Sequence, residues 1–62
     1  MAYELIQGDQ TLGIFNTKTD VEKYIKDNES KIYYIVWREL KKNWFQIDFG
    51  AYHRFYYVRK TG

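Results

Sequence analysis

Tyr3 and Leu5 alternate with polar neighbours as far as Gln7, the period of two expected of a half-buried strand. Gly8-Asp9-Gln10 supplies turn chemistry and Thr11 to Phe15 resumes an extended run, which together predict a hairpin. The period then changes. Val21, Tyr24, Ile25 and Asn28 fall at i, i+3, i+4 and i+7, so a short amphipathic helix is expected over about 18–28. Thr17 stands three residues before Asp20 and Thr19 three before Glu22. Either threonine can cap the helix, whose first turn holds acidic side chains suited to the dipole. The opposite stripe, Lys18, Glu22, Lys23, Lys26, Asp27 and Glu29, reads as a solvated exterior, with Glu22 and Lys26 correctly ordered at i,i+4.

From Lys31 to Lys60 the residues are strand formers with two breaks, at Lys41-Lys42-Asn43 and at Gly50-Ala51. Asn43 tolerates the left-handed geometry that a three-residue loop needs, and Gly50 suits the opening of a two-residue type II′ turn. A three-stranded meander follows. Counting through those turns puts Ile35, Trp37, Phe45, Ile47, Phe49, Tyr52, Tyr56 and Val58 on the face covered by the helix. Arg54 falls there too, and is expected to snorkel outward at a sheet edge. The other face takes Val36, Arg38, Leu40, Trp44, Gln46, Asp48, His53, Phe55, Tyr57 and Arg59. The fold class is therefore α+β: one domain over residues 1–62, ordered ββαβββ, with an antiparallel sheet and one helix packed on one face.

Composition adds a constraint and a candidate surface. A chain of 62 residues buries only about 60% of the surface its unfolded form exposes. Without Cys and with a single His, it has neither disulfides nor a ligand set for structural metal. Aromatic packing must replace them, because each buried ring removes a large apolar area from water with few rotatable bonds. Ten of the thirteen aromatic residues lie between Tyr33 and Tyr57, more than one helix-covered face holds. Charge is divided as well: residues 1–30 balance at −3 and residues 31–62 at +5. The aromatic half is the basic half.

Rings interleaved with guanidinium groups on an uncovered face make a binding surface, for which the candidate residues are Arg38, Trp44, Phe55, Tyr57, Arg59 and Lys60. Trp, Tyr and Arg are the residues most enriched at protein hot spots, and a small chain gains core by pairing with a second copy. A protein partner or a homodimer is the favoured reading. The alternative is a nucleic-acid platform, with bases stacked on Trp44, Phe55 and Tyr57 and phosphates met by Arg38, Arg59 and Lys60. No catalytic residue is assigned, and the chain is not expected to be an enzyme. An Asp48–His53 cross-strand pair would orient an imidazole, but Ser30 is the only Ser and no Cys is present to act as a nucleophile. No cofactor, metal or membrane contact is expected. The start Met1-Ala2-Tyr3-Glu4 lacks the basic-then-apolar pattern of a signal peptide, which favours a cytoplasmic protein. The abundance of Lys, Ile, Tyr, Asn and Phe, all with A/T-rich codons, favours a bacterial or phage-like origin and a small accessory or regulatory factor.

Overall fold

A computed structural model describes residues 2–52 and 54–61. Its elements follow the expected order: β1 (Ala2–Gln7), β2 (Gln10–Phe15), α1 (Lys18–Asn28), β3 (Val36–Lys41), β4 (Trp44–Asp48) and β5 (Tyr56–Thr61). All five strands join one antiparallel sheet in the order β2-β1-β5-β4-β3. The chain's last strand lies at the centre, pairing with β1 on one side and β4 on the other. The first and last strands thereby lie side by side in the interior of the sheet.

Two tight turns form for the reasons their residues give. Gly8 opens the β1–β2 turn at φ 63°, and Asn43 closes the β3–β4 turn at φ 64°, conformations that glycine and asparagine adopt most easily. Thr17 is the helix N-cap, its Oγ1 accepting the Asp20 N–H at 3.1 Å. On the helix, Val21 and Ile25 are fully buried, and Tyr24 packs its ring against Phe15 at 5.5 Å. Asn28, the last member of the stripe, is exposed and donates from Nδ2 to the Tyr24 carbonyl at 2.8 Å.

The core lies between α1 and one sheet face. Leu5, Val58 and Phe45 stand side by side across β1, β5 and β4, and Tyr56, Ile47 and Trp37 form the next row across β5, β4 and β3. Partners in register share a face, so this is the face the alternation assigns to the helix. Tyr3 and Trp37 have two strands between them in the sheet, yet their rings meet edge to face at 6.3 Å. The sheet must therefore coil toward the helix, as strongly twisted sheets do.

Four expectations are corrected. Gly50-Ala51 is not a two-residue hairpin turn, since β4 ends at Asp48 and β5 begins only at Tyr56. Asp48 ends β4 by accepting the Gly50 N–H on Oδ1 at 2.9 Å, a side-chain turn that competes with continued pairing. Tyr52, placed in the core by counting through a short turn, is instead 87% exposed. Nor is the charged stripe of α1 wholly solvated. Glu22 accepts the Trp37 indole N–H at 2.8 Å, and Glu29 accepts both the Tyr56 hydroxyl at 2.5 Å and the Arg54 guanidinium at 2.9 and 3.0 Å. Rings buried or half-buried on the helix side carry polar tips that need acceptors, and these two glutamates supply them. Burial, and after it the Glu29 bond, push the Tyr56 phenol above its ordinary value. Arg54 thus lies in the connection, not within a strand, and its charge is held by the helix end.

Candidate functional site

The sheet face away from α1 is assembled by register. One row runs Ile14, Glu4, Arg59, Trp44 across β2, β1, β5 and β4. The next runs Thr11, Ile6, Tyr57, Gln46, Arg38 across all five strands. Asp48 pairs with Val36 at its end. Trp44 and Tyr57 are half-buried on this face, whereas Tyr56 is buried on the other.

Of the six candidate residues, Arg38, Trp44, Tyr57 and Arg59 come together here. Phe55 does not join them through strand phase, because it precedes β5 and lies half-buried in the connection. Lys60 is a correction. It follows Arg59 directly, so the pleat turns it to the helix side, where it stands opposite Tyr3. Its backbone N–H bonds the Asn43 carbonyl at 2.9 Å. A second adjustment concerns Leu40: a bulge between Glu39 and Lys41 puts Lys41, not Leu40, opposite Trp44. The expected Asp48–His53 pair lies outside the described residues.

Electrostatics decide what this face can do. Arg59 pairs with Glu4 at 2.5 Å, and Arg38 with Asp48 at 2.9 Å. The Trp44 ring receives two cations as well, the Lys41 ammonium at 5.7 Å and the Arg59 guanidinium at 5.9 Å from its centroid. Gln46 donates to the Tyr57 hydroxyl at 3.4 Å. Each guanidinium in this patch is already held by a carboxylate and each ring has a polar or cationic neighbour. Arg38, Lys41 and Arg59 set against Glu4 and Asp48 leave a surplus of only one positive charge.

Both carboxylates are tuned to stay ionised. The Thr11 hydroxyl and then Arg59 hold Glu4 below its ordinary value, and the Gly50 N–H, more than Arg38, does so for Asp48. A carboxyl whose folded pKa is depressed contributes stability above its unfolded pKa and loses it as pH falls through the folded one. Acidification from pH 5 to below the ordinary carboxylate range of about 4 should therefore lower the thermal midpoint. In a carbon-detected NMR titration, Asp48 and Glu4 should each protonate below the ordinary value of its own residue type. Midpoints at those ordinary values would show that these bonds are not kept in solution.

Glu4, Lys41, Thr11, Ile6 and Ile14 were not anticipated in this surface. The β1 and β2 residues enter it because β1 inserts beside β5, a long-range pairing with no local signal, and Lys41 enters through the β3 bulge. The hint available was charge: Arg59 on an apolar strand needed a carboxylate at strand spacing, and Glu4 alternates correctly with Tyr3 and Leu5. At one end the face is bordered by the exposed side chains of Tyr34 and Val36. Among the described residues no group of His, Cys, Asp and Glu is arranged to hold a metal ion, and no helix is long and apolar enough to cross a membrane. No protein-family model matches this chain, and neither does any curated protein or solved structure.

Proposed function

We propose that this chain is a small non-enzymatic binding protein that works through the outer sheet face, and that its partner is protein, in the first instance a second copy of itself. The observation that carries this reading is the internal neutralisation of the face. A platform for single-stranded nucleic acid keeps its cations free for phosphates. Here Arg38 and Arg59 are engaged by Asp48 and Glu4, while Trp44, Tyr57, Ile14 and Val36 offer ring and aliphatic surface between them. A face carrying both signs in fixed pairs can meet its own copy without net repulsion, and Trp44 flanked by two cations is the kind of anchor on which hot spots are built. An accessory or regulatory role, of the kind small phage-like factors fill, fits a chain that presents such a face.

Sedimentation velocity over a concentration series tests the reading. The wild-type chain should shift toward a dimer as concentration rises, and Trp44→Ala should weaken that association by about thirtyfold, a hot-spot loss of about 2 kcal/mol. Titration with labelled single-stranded and duplex oligonucleotides at two salt concentrations examines the alternative. Binding that weakens steeply with salt while the chain stays monomeric would assign the face to nucleic acid.

A further inference from the structure

The two edges of the sheet are unlike. β3 exposes a strand containing Arg38, Glu39 and Lys41, charges that discourage another chain from pairing there. The sequence of β2, Gln10-Thr11-Leu12-Gly13-Ile14-Phe15, has no charged side chain, and Ile14 is 69% exposed. Its protection is a bulge, where Leu5 opposes Gly13 and Ile6 opposes Thr11, leaving Leu12 as the extra residue. Regular ladder geometry therefore survives best along residues 13–15.

That stretch borders an open groove of about 260 Å³ between β2 and α1, lined by Phe15, Asp20, Lys23, Tyr24 and Asp27. Phe15 and Tyr24, 5.5 Å apart with their rings tilted by 57°, form its apolar wall. Asp20 and Asp27 outnumber Lys23, so the rim is acidic. Phe15 stands opposite buried Tyr3, which places this wall on the helix side of the sheet. A strand added to β2 would project alternate side chains toward that side.

From the uncharged edge, the adjoining aromatic groove and its acidic rim, we infer that β2 and α1 form a second docking site, which accepts an extended segment of another protein as a sixth strand. A Lys or Arg of that segment lays its aliphatic stem over Phe15 and Tyr24 and sets its cation beside Asp20 and Asp27. Main-chain pairing supplies affinity and the groove supplies selection for a basic side chain. The groove lies on the helix side of the sheet, opposite Trp44, and although β2 also contributes Ile14 to the outer face, the helix amides and the Trp44 indole tell the two sites apart.

The test is an NMR titration of the full chain with a short alternating Val/Thr peptide carrying one central Arg, beside a twin carrying Glu in its place. The Arg peptide should shift the backbone amides of residues 13–15 and of the Asp20–Asp27 side of the helix, leaving the Trp44 indole unmoved, and the Glu twin should bind at least about tenfold more weakly, one opposed charge pair. Asp27→Lys, an exposed change in the last helical turn where a cation suits the dipole, should weaken the Arg peptide by a similar factor, and Lys23→Glu should tighten it. Absence of shifts at millimolar peptide, equal binding of the twins, indifference to Asp27→Lys, or shifts confined to Trp44 and Tyr57 would each overturn the site. So would a concentration-dependent shift, without peptide, of the β2 amides together with those of the Asp20–Asp27 side of the helix, which would give this edge to a second copy.

Discussion

Leu5→Ala is expected to lower the unfolding free energy by about 2 to 5 kcal/mol. Leu5 is fully buried at the centre of the inner face, between Gly13 of β2 and Val58 of the central strand. Truncating it removes apolar contact and leaves a hole that a sheet pinned on both sides cannot close. A chain of this size has a total stability of roughly 3 to 9 kcal/mol at the usual 0.05 to 0.15 per residue, so the variant should be largely unfolded at a temperature where the parent is folded. Leu40→Ala is the matching control. Leu40 is 54% exposed at the β3 bulge, and its loss should stay within about 0.5 kcal/mol. Urea unfolding followed by circular dichroism compares the two, and similar midpoints would mean that the inner face is not where the stability resides.

Gly50→Ala is the second large effect, and it tests how the long connection is held. Gly50 has φ 94°, and a Cβ built there would lie 2.8 Å from both Cβ and Cδ2 of Tyr33. The backbone conformation costs a residue other than glycine about 1 to 2 kcal/mol. The overlap adds to this, because a side chain's first carbon can move only if its backbone moves. The Tyr33 backbone is itself tied, its N–H donating to the Phe49 carbonyl at 3.1 Å. A total loss of about 2 to 4 kcal/mol is expected, together with faster hydrogen exchange at the Tyr33 amide. Gly8 separates the two contributions. It has φ 63° with nothing within 4 Å of its built Cβ, so Gly8→Ala should show the backbone cost alone. Equal losses at both glycines would remove the packing contact with Tyr33 from the account.

The same glycine shows how far the sequence could be read. Helix bounds, the first hairpin, the Asn43 turn and the element order follow from local signals: a cap, a period and residues that accept positive φ. The β4–β5 connection does not, because Gly50 was assigned to a turn when its freedom serves the close approach of Tyr33. Asp48, two residues earlier and able to bond the Gly50 N–H, was the overlooked sign. The face assignment nevertheless survives. A two-residue turn would set Phe45 opposite Tyr56, whereas the structure sets it opposite Val58. That slip of two residues preserves the pleat phase, and a slip of one would have reversed it. Tyr52, which depended on the short turn itself, had no such protection.

The binding surface was legible only in part. Trp44, Tyr57, Arg38 and Arg59 follow from strand phase, but their neutralisation by Asp48 and Glu4 depends on cross-strand geometry, in the case of Glu4 on β1 docking beside β5. Composition alone leaves room for a polyanion beside the favoured protein partner. Register supplies what composition could not, a carboxylate for each guanidinium of the face. Glu22 and Glu29 hid for a related reason, since a charged helix stripe looks the same whether it meets water or the polar tip of a buried ring.

The two tryptophans provide the most direct measurement of the central claim. Trp37 faces the helix with its indole N–H bonded to Glu22, and Trp44 lies on the outer face between Lys41 and Arg59. In nitrogen-correlated NMR spectra recorded over rising protein concentration, the Trp44 indole signal should move along a dimerisation curve while the Trp37 signal stays fixed. A Trp44 signal that stays put to millimolar concentration, or a Trp37 signal that moves in its place, would contradict self-association through the outer sheet face.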